Sequence, residues 1–107
     1  MKKTRWRYLL IKIIGDEYSS GEFATALTDT LRTYFGSVNS TKINPKIIRY
    51  ESSIGEAILK CRNDSVSIVR SAITLLTHIG DKPAAAFVIK SSGTIRSLAR
   101  DWKTKKI

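Results

Sequence analysis

The residue types that could carry catalysis are scarce in this chain. It holds one histidine, His78, and one cysteine, Cys61, which are too few for a histidine-based triad or a cysteine-built zinc site. We expect His78 at the C-terminal end of a helix, as a partner of the helix dipole rather than a general base. Asp16 and Glu17 are the one adjacent acidic pair, in a polar turn where solvation is the ordinary role. The polypeptide is therefore expected to hold no catalytic residue and no metal.

Residues that bind anions are abundant instead. The 107 residues include 19 Lys and Arg against 9 Asp and Glu, a formal net charge of +10. A compact domain with this excess repels itself, and binding to a polyanion relieves the repulsion. Nucleic acid is the leading candidate, with an anionic membrane surface and an acidic protein as alternatives. The basic clusters are Lys2, Lys3, Arg5 and Arg7; Lys42, Lys46 and Arg49; Lys60, Arg62 and Arg70; Lys90, Arg96 and Arg100; and Lys103, Lys105 and Lys106.

The elements that must position these cations follow from hydrophobic periodicity. The expected strands are Trp6–Ile14, Pro45–Glu51, Gly55–Arg62 and Ala85–Lys90. Helices are expected between the first and second strands, between the third and fourth, and after the fourth. The simplest arrangement is an α+β, ferredoxin-like (RRM-like) β-α-β-β-α-β sandwich with an antiparallel sheet of order 4-1-3-2, plus a C-terminal helix. Residues 1–107 are expected to form a single domain.

Local signals mark where the helices begin and end. Ser19 and Glu22 form a capping-box pattern before the first helix, and Gly36 is expected to end that helix in the left-handed conformation. Asn63 or Asp64 is expected to cap the second helix. The third helix is expected to start near Ser91–Thr94, where free backbone amides and hydroxyls would make a phosphate seat. The alternative is ordinary N-capping by Ser92 or Thr94, and both can hold together.

The first strand separates two faces of the sheet. Leu9, Ile11 and Ile13 are expected to face the helices, because they alternate along the strand with period two. The other face then carries Tyr8, Leu10, Lys12, Ile58, Lys60 and Arg62. The stacking consensus of recognition-motif domains is absent from residues 55–59, so base stacking on the sheet is not expected. Tyr8, Leu10 and Ile58 are candidate protein-interface residues, to be covered by the third helix, a second copy or a partner.

The candidate RNA-binding residues are cations and hydroxyl-bearing residues in or next to the expected strands and the third helix. These are Arg5, Arg7, Lys12, Lys60, Arg62, Lys90, Ser92, Thr94, Arg96, Arg100 and Lys103.

Two segments carry a family resemblance. Ser92-Gly93-Thr94-Ile95-Arg96 followed by Leu98, and Gly55 through Leu59-Lys60-Cys61-Arg62, resemble ribonuclease P protein component 2 of the archaeal and eukaryotic type. The resemblance implies a ferredoxin-like, RNA-binding subunit of the ribonucleoprotein endoribonuclease that matures the 5′ end of precursor tRNA. It implies that the RNA with Mg²⁺ is the catalyst and that the protein binds no cofactor. The implied partners are ribonuclease P RNA, ribonuclease P protein component 3 and, through the holoenzyme, precursor tRNA.

Other hypotheses about the function stay open. A module of another ribonucleoprotein such as the ribosome, or a chromatin-binding module, fits the charge equally well. A small hydrolase on the same topology would show turnover without RNA. The number of copies is open, and a homodimer within a heterotetramer is one arrangement. The chain lacks a signal peptide and a membrane-spanning run, so we expect a cytoplasmic protein. The short N-terminus also lacks an extended arm, so contacts that family members make through such an arm are not expected. Lys90-Ser91 departs from the more apolar approach expected of the family.

Overall fold

A computed structural model of the chain describes residues 5–36, 43 and 45–99. Its elements in chain order are β1 (Trp6–Gly15), α1 (Ser20–Phe35), β2 (Lys46–Glu51), β3 (Glu56–Arg62), a 3-10 turn (Asn63–Ser65), α2 (Val66–Leu75), β4 (His78–Ile79), β5 (Lys82–Ser92) and α3 (Ile95–Ala99). The predicted α+β class with an antiparallel sheet is confirmed. None of the helices within the described residues is long and apolar enough to span a bilayer.

The sheet has five strands in the order β2-β3-β1-β5-β4. The predicted four-strand order 4-1-3-2 is not confirmed, because the short strand β4 adds a position at the sheet edge. β4 forms because α2 ends at Leu75 and a two-residue loop, Gly80-Asp81, turns the chain back into β5. Gly80 has a φ of +65°, a conformation that suits glycine in a tight hairpin. His78 is therefore an exposed residue of strand β4, and its predicted place at a helix end is wrong.

The main core lies between the sheet and the two long helices. Leu9 and Ile11 of β1 are fully buried there against Phe23 of α1 and Ile73 of α2. This confirms that Leu9, Ile11 and Ile13 face the helices. Apolar residues at alternate strand positions fill one layer, and the helices supply the other.

The first helix begins and ends near the predicted residues. Ser19 accepts a hydrogen bond from the Glu22 amide, and the Glu22 carboxylate accepts one from the Ser19 amide, so the capping box is present. Gly36 has a φ of +88° and a ψ of 157°, which lies outside the left-handed helical region but still favours glycine. The predicted cap of α2 is wrong, because Asn63 and Asp64 lie in the 3-10 turn that precedes it.

The third helix lies against the opposite face of the sheet. Leu98 is fully buried with Leu10 of β1 and Ile58 of β3, and Tyr8 packs beside them. The alternatives left open for Leu10 and Ile58 are thereby decided in favour of the chain's own helix. Neither side chain is accessible to a partner in this structure, and the protein interface at Tyr8, Leu10 and Ile58 stays a prediction.

Candidate nucleic-acid interface

Four cations of β2 and β3 lie on the same side of the sheet as α3. In antiparallel strands directly opposite residues point to the same side, and Lys46 pairs with Lys60 while Arg49 pairs with the buried Ile58. Lys60 and Arg62 are two residues apart on β3, so they share that side. We call Lys46, Arg49, Lys60 and Arg62 the cationic face.

A bulge in β2 brings the two cations of that strand onto one side. The register shifts between Ile47 and Arg49, so one extra residue, Ile48, is inserted into the strand. Without this bulge, Lys46 and Arg49 would point to opposite sides, because they are three residues apart. The local irregularity therefore enlarges the cationic face.

The charges of the cationic face are poorly compensated. Arg62 contacts Asp64 at 3.4 Å, and both side chains are largely exposed. Within the described residues, no carboxylate forms an ion pair with Lys46, Arg49 or Lys60. Like charges directly opposite each other destabilise a sheet, so the Lys46–Lys60 pairing is unfavourable until an anion binds.

Trp6 lies at the edge of the cationic face and was missed by sequence reasoning. Its strand partner is Arg62, and the Lys60 ammonium lies 4.4 Å from the centre of its ring. The indole is 43% exposed. The signal was present, because Trp6 is two residues before Tyr8 and so shares its side of the strand.

The other strand cations lie apart from the four residues of the cationic face, although Lys12 and Lys90 are on the same side of the sheet as Leu10. Arg7 pairs with the buried Cys61 and so points to the helix side, where its guanidinium donates to Ser91 Oγ at 3.4 Å. Arg5 is exposed just before β1. Lys12 is half-buried at the far end of β1; its ammonium donates to the Ile54 carbonyl. Lys12 therefore has a structural contact.

The start of α3 uses its hydroxyls as caps. Ser92 Oγ accepts from the Thr94 amide at 3.2 Å, and Thr94 Oγ accepts from the Ser97 amide at 3.3 Å. The predicted N-capping is confirmed, and the phosphate seat stays a prediction. Lys90 and Arg96 are exposed close to this turn. The candidates Arg100 and Lys103 lie outside the described residues.

Groups with catalytic potential are placed unfavourably for chemistry. Cys61 is buried, and this desolvation raises the pKa of its thiol to about 11, so little thiolate forms. Hydrogen bonding from Lys82, at 3.1 Å, lowers the pKa of Asp16 in an exposed ion pair. Across residues 5–36, 43 and 45–99, no group of three His, Cys, Asp or Glu side chains is placed to hold a metal.

A groove on the helix side of the sheet has a different character. It has a volume of about 730 Å³ and lies between α1 and β4. Glu22, Asp29 and His78 are among its lining residues, and the described lining contains neither Lys nor Arg. Phosphate binding is therefore favoured at the cationic face and not in this groove.

The known proteins that this chain resembles in sequence belong to one family. A sequence model of the Rpp14/Pop5 family matches residues 7–102. The chain is 33% identical over 91 residues to ribonuclease P protein component 2 of Methanocaldococcus jannaschii, covering 84% of this chain and 66% of that protein. It is 26% identical over 97 residues to the protein of the same name from Pyrococcus furiosus, covering 90% and 81%. The chain thus spans slightly less than two thirds of the length of the first relative.

The fold has a counterpart among solved structures. A chain in the cryo-EM structure of yeast ribonuclease MRP superimposes with a TM-score of 0.74 at 9% sequence identity, covering 99% of this chain and 95% of that chain. At this identity the likeness concerns the fold alone. The match of the family model covers nearly the whole sequence, so the chain belongs to the Rpp14/Pop5 family.

Proposed function

We propose that this chain is a protein subunit of ribonuclease P and binds the catalytic RNA through its cationic face. The observation that carries the proposal is the pairing of Lys46 with Lys60, two cations directly opposite each other with no described ion-pair partner. Such a pair is costly in the free protein and favourable once phosphates lie against it. Membership of the Rpp14/Pop5 family supports ribonuclease P RNA as the polyanion.

The proposed role is to support the RNA and not to cleave the substrate. In this proposal the RNA, with Mg²⁺, cleaves the 5′ leader from precursor tRNA, while the protein offsets the charge of closely packed phosphates. The buried Cys61 and the exposed ion pair of Asp16 with Lys82 leave the polypeptide poorly equipped for general acid-base or nucleophilic chemistry. The resident cofactor is thus assigned to the RNA.

We also propose that the chain acts in the cytoplasm and binds ribonuclease P protein component 3. A homodimer within a heterotetramer is one form that the assembly could take. Because α3 covers Leu10 and Ile58, such partners would have to use other surfaces, or displace α3. We further propose that the sheet is a ferredoxin-like sandwich extended by one strand. Its support is the order β5-β1-β3-β2 that remains when β4 is set aside.

A second candidate is a general nucleic-acid-binding module of another ribonucleoprotein such as the ribosome. The cationic face favours it equally, since phosphate contacts carry no sequence information by themselves. The two candidates differ in what the chain should assemble with, because only the first requires ribonuclease P RNA.

Reconstituted cleavage of precursor tRNA tests the proposal. Ribonuclease P RNA and the other protein subunits are assembled without the chain, with the full chain, and with a Lys46→Ala/Lys60→Ala variant. We expect the wild-type chain to raise the cleavage rate at limiting Mg²⁺, and the double variant to need a higher protein concentration. Lys82→Ala is the matched control, because Lys82 is an exposed cation at the start of β5, near the opposite end of β1 from Trp6.

Three outcomes would contradict the proposal. Equal cleavage with and without the chain would remove the subunit role, and cleavage by the isolated protein would mean that the polypeptide is itself catalytic. A folded double variant with wild-type RNA affinity and salt dependence would remove the cationic face as the binding surface.

A further inference from the structure

The backbone that carries the exposed ring of Trp6 is anchored by the sheet. Trp6 pairs with Arg62 of β3, and on the preceding residue the Arg5 carbonyl accepts a hydrogen bond from the Asn63 amide at 2.8 Å. The strand therefore continues its contacts on both sides of the tryptophan. A side chain on an anchored strand binds a ligand with little loss of backbone entropy.

The surroundings of this ring are cationic. The Lys60 ammonium lies 4.4 Å from the ring centre, and Arg62 is its direct strand partner. Other exposed apolar residues, such as Phe87 and Ile14, lie on β5 and toward the far end of β1. Phe87 lies opposite Lys12, but that ammonium donates to the Ile54 carbonyl, whereas the Lys60 ammonium lies over the Trp6 ring.

An aromatic ring between phosphate-binding cations suits one kind of ligand. Bases of single-stranded nucleic acid stack on such rings while their phosphates lie against Lys and Arg. Bases inside an RNA duplex are already stacked and face each other, so a protein ring cannot reach them. An apolar protein surface fits this ring less well, because binding would desolvate Lys60 and Arg62 without an anion to pair with them.

We propose that Trp6 stacks on an unpaired nucleobase of the bound RNA, in a loop, a bulge or a single-stranded end, while Lys60 and Arg62 contact the neighbouring phosphates. The inference rests on the proposed function and adds the structural class of the RNA element. The cationic face by itself would bind single and double strands alike, whereas Trp6 makes the surface prefer unpaired nucleotides.

Tryptophan fluorescence gives a direct test in the full-length chain. The sequence contains two tryptophans, Trp6 and Trp102, so a Trp102→Phe variant reports on Trp6 alone. This variant is titrated with a single-stranded RNA oligonucleotide and with an RNA duplex of the same length. Stacking should quench the Trp6 emission with the single strand, and the duplex should bind with little quenching.

Affinities of further variants separate stacking from charge. We expect Trp6→Ala to weaken single-strand binding on the order of tenfold or more, since stacking on one base is worth about 1–3 kcal/mol by alanine substitution. Duplex binding should change less than about twofold, and Trp6→Phe should retain most of the affinity. Phe87→Ala is the matched control, because Phe87 is 47% exposed but lies on β5, outside the cationic face.

The results distinguish failure of this inference from failure of the proposed function. The stacking role would be overturned if folded Trp6→Ala lost single-strand and duplex binding equally. It would also be overturned if Trp6→Ala lost no affinity while Lys46→Ala/Lys60→Ala was impaired. Either result would leave RNA binding by the chain intact. Absence of binding to both RNAs by the wild-type chain would contradict the proposed function itself. Thermal unfolding of each variant establishes that it is folded, and Trp6→Phe provides the comparison if Trp6→Ala is unstable.

Discussion

Lys46 and Lys60 lie directly opposite each other on β2 and β3, on the side of the sheet that carries Trp6. At the other end of the same hairpin, Glu51 lies opposite Glu56. The hairpin thus places like charges together at both ends, although exchanging one residue of each pair would give two attractive pairs. A sheet built for stability alone would favour opposite charges at these positions. The cationic end of the hairpin would therefore become more favourable when an anion binds, as the proposed function requires.

The first prediction concerns the opposing requirements of stability and binding. Lys46→Glu turns a repulsive cross-strand pair into an attractive one, so we expect the free energy of unfolding to rise by about 0.5–1 kcal/mol. RNA affinity should fall, and the slope of log affinity against log salt should flatten by about one to two. Denaturant unfolding and binding at several salt concentrations measure the two effects.

The control for that variant is Lys82→Glu, which makes the same change in charge at the other end of the sheet. It should destabilise slightly, because Lys82 contacts Asp16, and it should affect RNA binding less. If both variants weaken binding equally, net charge matters and the cationic face does not.

The second prediction concerns two glycines with nearly the same backbone conformation. Gly55 and Gly80 have φ values of +64° and +65°, but a methyl group on Gly55 would collide with the Ile13 carbonyl, whereas Gly80 has open space. Gly80→Ala should cost about 1 kcal/mol for the left-handed conformation alone. Gly55→Ala should cost at least about 2 kcal/mol more, because the β1 backbone must shift. Equal losses in denaturant unfolding would show that the contact is relieved elsewhere.

The third prediction separates a structural lysine from a binding one. Lys12 donates a hydrogen bond to the Ile54 carbonyl and lies directly opposite Glu56, which is fully buried. Lys12→Met removes a cation beside a buried carboxylate, so the free energy of unfolding should fall by about 2–4 kcal/mol. RNA affinity of the folded variant should stay close to wild type. A stable variant with weakened RNA binding would restore Lys12 to the binding surface.

The fourth prediction concerns the buried thiol. Desolvation raises the pKa of Cys61 from 9.0 to about 11, so the thiol keeps its proton in the folded state after it would ionise in the unfolded chain. Stability should therefore show no dependence on this group below pH 9 and should fall as the pH rises from 9 toward 11. Cys61→Ala should remove this component of the pH dependence.

The rate of thiol modification checks the same assignment. In the folded chain Cys61 should react far more slowly with a thiol reagent than in denaturant, because both burial and the raised pKa suppress the thiolate. Comparable rates in the two states would show that the thiol is accessible.

The sequence by itself determined the features that depend on near neighbours along the chain. Ser19 and Glu22 form the predicted capping box because their spacing alone brings side chain and amide together. The alternation of Leu9, Ile11 and Ile13 identified the face of β1 that packs on the helices, since side chains of a strand alternate with period two. The excess of cations indicated a polyanionic partner without knowledge of the fold, because net charge is a sum over residues.

Only the tertiary structure decided which side chains meet. The bulge at Ile48 sets the register that puts Lys46 opposite Lys60, and no local pattern encodes a cross-strand register. Packing of Leu98 on Ile58 closes a surface that the sequence left open. The grouping of the cations and the burial of Ile58 both depend on contacts between residues far apart in the chain, whose energies arise only when the sheet has assembled.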